Sequence, residues 1–164
     1  MAISERLKAF LERERIAYQT LPHRAVFTAH EAAVASHVAD RQLAKALAAK
    51  DDRGGLLMAV LPASCRLDLT ALKHLTGRHH LRLLHEDELQ AVFPDCAVGA
   101  LPPFGNLYGM PVYVDGCFAR DQDIVFEAGS HHEAVRLPYA EFERAARPVI
   151  GEYCLHEREK TAAG

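Results

Sequence analysis

Nowhere in its 164 residues does this chain hold an apolar run approaching the roughly 20 residues that a membrane-spanning helix needs. The start, MAISERLKAF, is charged and amphipathic and lacks the apolar core of a signal peptide. The cytoplasm is the expected compartment, with no membrane as a partner. The four cysteines, Cys65, Cys96, Cys117 and Cys154, include no C-x-x-C pair, which argues against a zinc ribbon and a dithiol redox motif, so reduced, partly buried thiols are expected. The ten histidines include no H-x-x-x-H or H-E-x-x-H signature, and the neighbours His79-His80 and His131-His132 would point to opposite faces of a strand. No metal site and no cofactor are expected. There is no G-x-S-x-G nucleophile elbow, and Cys65, Cys96 and Cys117 stand in no motif that would pair them with a base. A net charge of only −3 argues against a general nucleic-acid binder.

What is present is an ordinary globular composition, 49% hydrophobic and 25% charged, in a chain 1–164 of one domain's size. Charge is unevenly distributed. Residues 41–84 carry eight Lys/Arg against three Asp/Glu, a balance of +5, and residues 85–127 carry one against eight, a balance of −7. One part could face phosphates while the other stays clear of them, or the two segments could interleave in space.

The helical spacing of Ile3, Leu7, Phe10, Leu11 and Glu14 predicts a packing helix over 3–15, followed by a short strand over 16–21 that ends at Pro22. Thr28-Ala29-His30-Glu31 has capping-box form and predicts a helix from Thr28. Over 41–50 an Ala- and Leu-rich composition favours helix, whereas the turn residues Asp51-Asp52-Arg53-Gly54-Gly55 and the apolar run LLMAVL favour a hairpin. Asp68 is placed to cap a helix over 69–76 that Gly77 stops. A strand over 80–84, a short helix over 86–93 and a strand over 110–115 follow. Strand-like pieces at 124–128 and 133–137 flank Gly129-Ser130-His131-His132, Pro138 starts a last helix to about Ala146, and the charged tail from Gly151 is expected to fray. Short strands mixed with short helices, without a regular alternation, predict an α+β fold.

The densest punctuation lies between Val98 and Asp115, VGALPPFGNLYGMPVYVD, which can be neither helix nor ladder and reads as a rigid, shaped loop. Gly99 and Gly105 permit close backbone approach, while Pro102 and Pro103 stiffen the chain. Gly99-Ala100-Leu101-Pro102-Pro103 has the form G-x-x-x-P, followed by Phe104-Gly105, a strand ending in Asp115, and Phe126-Glu127-Ala128-Gly129-Ser130-His131.

In this order the chain resembles the YbaK family, the editing domains related to the insertion domain of bacterial prolyl-tRNA synthetases, from about Thr28 to Pro148. The resemblance implies a curved, mostly antiparallel, barrel-like mixed sheet flanked by short helices, with 43–50 as a strand that sets Leu43, Lys45, Leu47 and Ala49 on one face. It implies hydrolysis of the ester joining a wrong, small amino acid (alanine, cysteine, serine or threonine) to the 3′ end of tRNA. The acceptor end of aminoacyl-tRNA is the implied partner, with a synthetase or elongation factor left open as a second partner in trans. Lys45 matches the family lysine, which would bind the terminal phosphate or stabilise charge on the carbonyl oxygen; Ala46 departs from the hydroxyl residue that commonly follows it. Gly99 and Pro103 match the family loop, whose N–H groups would cradle the ester, with Ala100, Pro102, Phe104, Gly105, Gly129 and Ser130 beside the substrate. His131, with His132 as the competing assignment, would orient the aminoacyl end or a water. A chain of this size leaves no room for a synthetase catalytic domain, so a free-standing deacylase acting in trans is expected. A non-catalytic aminoacyl-tRNA- or RNA-binding regulator of the same fold is the alternative, and a small-molecule or peptide hydrolase is a third reading.

Overall fold

The architecture follows from a computed structural model, which describes residues 3–23 and 41–156. The helix expected from Thr28 lies outside the described residues. The first helix, α1 (Glu5–Arg13), is capped by Ser4, whose hydroxyl accepts the Leu7 N–H, and it buries Leu7, Phe10 and Leu11 as their spacing requires. It ends where Arg15 takes φ +56° and the chain turns into β1 (Gln19–Pro22).

Strand β2 (Leu43–Lys50) and β3 (Leu56–Pro62) form the central hairpin. Tertiary pairing overrides the helical propensity of the Ala-rich segment. Its turn is built by Asp51, whose Oδ1 accepts the N–H groups of Arg53 (2.9 Å) and Gly55 (2.8 Å), while Gly54 adopts φ +81°. After β4 (Cys65–Leu67), helix α2 (Leu69–Thr76) starts on an Asp68 cap and stops at Gly77, which sits at φ +68°. The strand expected over 80–84 contracts to β5 (Arg82–Leu83), since His80 adopts φ +52° and breaks the extended run. Helix α3 (Glu86–Val92), β6 (Val112–Asp115), β7 (Asp123–Glu127), β8 (Glu133–Pro138) and helix α4 (Tyr139–Ala146) follow, with Pro138 just ahead of the first turn of α4.

The sheet runs β1-β8-β7-β2-β3-β6-β9, where β9 is Val149–Gly151, and β5 pairs with β2. It is mixed: β7 lies parallel to β2, and β6 lies parallel to both β3 and β9. One face of the hairpin packs Met58 and Val60 against α1 and α4 around Phe104, whose ring meets Phe10, Phe126 and Phe142 at centroid distances of 5.4, 5.7 and 5.6 Å. Such aromatic pairs contribute about 0.5–1.5 kcal/mol each beyond their burial. The other face packs Leu57, Ala59 and Leu61 against Leu72, Leu81 and Tyr153.

Residues 151–156 depart from the expected fraying, and the rest of that tail lies outside the described residues. Residues 154–156 form β10 (Cys154–His156), antiparallel to β4. Tyr153 is 1% exposed; its hydroxyl lies 2.7 Å from the carbonyls of Val60 and Tyr113 and accepts the Val60 N–H at 3.0 Å. A buried phenol satisfied on the backbone of the central sheet holds a segment whose local composition is that of a tail. The two charge-biased segments interleave, because Glu88 of the acidic one pairs with Arg82 (2.8 Å) and Lys50 (3.6 Å) of the basic one. No helix among the described residues is long and apolar enough to cross a membrane.

Candidate functional site

The Gly/Pro loop begins as a β-turn. Ala100 N–H returns to Ala97 C=O at 3.0 Å, with Gly99 at the third position and φ +85°. A positive φ there is the type II arrangement, and it favours glycine. The His131 ring holds the middle of this turn, since its Nε2 lies 2.7 Å from Val98 O. A carbonyl can only accept, so Nε2 carries a hydrogen and donates. In a planar trans peptide the N–H points opposite to its carbonyl, so Gly99 N–H is directed away from His131. A Cβ on Gly99 would sit 3.5 Å from His131 Cε1.

A second pair of bonds ties this turn to the end of β7. Ala97 N–H donates to Gly129 O (2.9 Å) and Gly129 N–H donates to Ala100 O (2.8 Å). Gly129 is buried at φ +95°, and a Cβ on it would meet Ser4 Cβ at 3.1 Å and Cys96 Sγ at 3.5 Å. That close approach lets the start of α1 dock here, with Ser4 N–H donating to Ala128 O at 2.9 Å. Ser4 Oγ and Tyr108 OH both donate to Asp95, and Arg6 stacks over the Tyr108 ring at 4.7 Å. Burial opposes ionisation of Asp95, but the Ser4 and Tyr108 hydrogen bonds outweigh it and keep the carboxyl below its ordinary range. Burial pushes the Cys96 thiol up to about 11, so the cysteine nearest the loop is not a thiolate at neutral pH.

Lys45 stands on β2 opposite Leu61, on the face that also carries Leu43 and Leu47. Because Leu43 pairs with Val125 in the parallel β2–β7 ladder, Lys45 and Glu127 come to corresponding positions of the same face, where β7 ends and the Gly129 turn begins. Lys45 therefore stands beside the end of β7, from which the chain leads to Gly129, His131 and, through the Gly129–Ala100 bond, Gly99. Ala100 and Ser130 are buried beside them, and the Ser130 hydroxyl accepts the His132 N–H at 3.0 Å. The structure distinguishes the two histidines: His131 faces the loop, while His132 is exposed. Phe104 and Gly105 lie on the core side, Phe104 without exposed surface and Gly105 against Met58 and Met110, and buried Pro102 and Pro103 lead the chain down to them. They shape the loop from beneath.

Reading the sequence missed His23 and Glu127. His23 Nε2 lies 3.3 Å from Glu127 Oε2, and both side chains are buried. Burial pushes Glu127 up to about 7 despite the pull of His23. Its other oxygen, Oε1, is buried with no hydrogen-bond partner among the described residues. A Glu at the end of a strand and a His separated from it by 104 positions carry no joint sequence signal.

A family model described as "Aminoacyl-tRNA editing domain" matches residues 23–145. The Multifunctional Ser/Thr-tRNA deacylase ProXp-y of Escherichia coli (strain K12) is 30% identical over 150 residues, covering 89% of each chain. Two crystal structures share the fold. The hypothetical protein APE2540 has a TM-score of 0.83 at 21% identity, covering 92% of this chain and all of that one. A structure described as a candidate trans-editing enzyme for prolyl tRNA synthetase has a TM-score of 0.79 at 22% identity, covering 93% and 96%. The chain belongs to the aminoacyl-tRNA editing domain family, the group of YbaK-like proteins.

Proposed function

We propose that the protein is a free-standing, single-domain deacylase that hydrolyses the ester of mischarged tRNA in trans and removes a small amino acid. The observation that carries this reading is the turn at Gly99, held by His131 and by Gly129 beside the strand that bears Lys45. An aminoacyl ester is already activated, so a protein that holds it, polarises its carbonyl and admits water needs no covalent nucleophile. The Gly99 N–H, aimed away from His131, is the donor for developing oxyanion charge, and the Lys45 ammonium adds a positive charge nearby. His131 positions the turn through Val98.

The relative named a Ser/Thr-tRNA deacylase matches this chain over 89% of both lengths, which supports action without a synthetase in the same chain and ranks serine and threonine first among the small amino acids. One methylene in a pocket is worth only about 1–3 kcal/mol, so the substrate follows from the pocket lining rather than from the loop. The test is release of labelled amino acid from tRNAs charged with alanine, cysteine, serine, threonine and proline, with Lys45→Ala beside the wild type. Rapid loss of one or two labels is expected, slowed by about 10²–10³-fold in the variant.

The non-catalytic reading, an aminoacyl-tRNA- or RNA-binding regulator, draws on one separate feature. Lys73, His74, Arg78, His79 and His80 line an open depression of about 400 Å³ at the end of α2, which suits phosphates. Tight binding of charged tRNA without release of any label would favour that alternative.

A further inference from the structure

Three of the four cysteines converge away from the loop and the turn just described. The Sγ atoms of Cys65, Cys117 and Cys154 lie within 4.8 Å of one another. They arrive from β4, from the turn after β6 and from β10, segments far apart in the chain. Cys65 is buried, Cys154 half-buried and Cys117 exposed, so the cluster opens to solvent on the Cys117 side.

The backbone beneath each sulfur is tied down. Cys65 and Cys154 sit on the antiparallel β4–β10 ladder, in which Cys154 faces Leu67 and His156 faces Cys65. The remaining segment is held by Asp115, which is 1% exposed and accepts the Cys117 N–H at 2.9 Å on one oxygen and the Tyr153 N–H at 2.8 Å on the other. Gly116 N–H adds a bond to Gly151 O at 3.0 Å. One buried carboxylate thus fixes the turn carrying Cys117 against the residue before Cys154. Thiols held from behind in this way are what a soft cation selects.

We propose that Cys65, Cys117 and Cys154 bind one thiophilic d10 cation, Zn²⁺ foremost, as a staple joining β10 and the Asp115 turn to β4. A zinc ion with bonds of about 2.3 Å places tetrahedral sulfurs roughly 3.8 Å apart, so the widest separation needs to close by only about 1 Å. Each thiol gives its proton to solvent on ligation, and the exposed side provides the path of entry. A disulfide would join two of the sulfurs and leave the third without a role.

The test is titration of the reduced, metal-free protein with Co²⁺ as a spectroscopic probe, followed by Zn²⁺ in competition with a chromogenic chelator. One equivalent of Co²⁺ should give a thiolate charge-transfer band and the visible bands of a four-coordinate ion, its fourth ligand a solvent molecule on the exposed side; Zn²⁺ should bleach both, and the melting temperature should rise with bound metal. Cys117→Ser, at an exposed position that leaves folding intact, should weaken binding by at least about tenfold, as befits loss of one of three ligands. Cys96→Ser should bind as the wild type does. Absence of a cobalt spectrum together with loss of Zn²⁺ to the chelator overturns the proposal. So does undiminished binding in Cys117→Ser, or a loss of two mass units on mild oxidation in a protein that takes up no metal.

Discussion

Two regions of this molecule are fastened by similar bonds and are unequally legible in the sequence. In one, Gly99 and Gly129 bring two backbone segments together with a pair of N–H to C=O bonds, and His131 locks the turn between them. In the other, Asp115 and Tyr153 fasten the chain's last described strand through side-chain atoms that reach buried backbone groups. The first fastening depends on residues whose conformational character is written in their identity. The second depends on an aspartate and a tyrosine that mean nothing in particular until the fold assembles them. Glycine-rich geometry is therefore readable ahead of the structure, whereas convergence of ordinary side chains is not.

If the first region is functional and the second structural, substitutions should separate them. His131→Ala removes the hold on Val98 and should lower kcat/KM for deacylation by about 10²-fold, the cost of a small misplacement in an active site. Its melting temperature should stay near that of the wild type, and equal losses of stability and activity would undo the distinction. Tyr153→Phe leaves buried backbone groups without the phenol, a loss of about 1–3 kcal/mol in denaturant unfolding. Its deacylation rate at temperatures where it is folded should match the wild type; a strong rate defect would make the C-terminal end part of the site.

Glu127→Gln sharpens the comparison through the pH dependence of stability. Burial raises the Glu127 carboxyl to about 7 in the folded protein, whereas an unfolded glutamate titrates near 4.3. Between those values the native state keeps a proton that the unfolded chain has released. The stability this group contributes is complete below about pH 4.3 and falls as pH rises towards 7. Urea midpoints measured from pH 4 to 8 should show this decline in the wild type, about 1.4 kcal/mol for each pH unit between the two values, and a flatter profile in Glu127→Gln. An unchanged slope in the variant would assign the decline to other groups.

Much of the fold was legible because local chemistry and tertiary structure agree. Asp68 and Gly77 bound α2 as their cap preferences require, and the Asp51–Gly55 turn closes the hairpin through its own side chain. Where they disagree, tertiary pairing prevails, as in the Ala-rich β2, whose partners on both sides make a strand of a helix-forming sequence. Around the candidate site, the glycines were legible and which of His131 and His132 meets the loop was not, since adjacent residues in an extended chain face opposite ways and only the position of Val98 decides. Phe104 and Gly105 looked like lining and lie in the core, because the loop turns inward after Pro103.

By itself the sequence determined what short-range chemistry can encode: the α+β pattern, the caps and turns, the G-x-x-x-P loop and the family they indicate. The tertiary structure alone decided which distant groups meet: His131 with Val98, His23 with Glu127, Tyr153 with Val60, and three cysteines with one another. The physical reason is range. Backbone preferences act over a few residues and are carried by single residue types, whereas these contacts join segments whose proximity depends on the packing of the whole sheet.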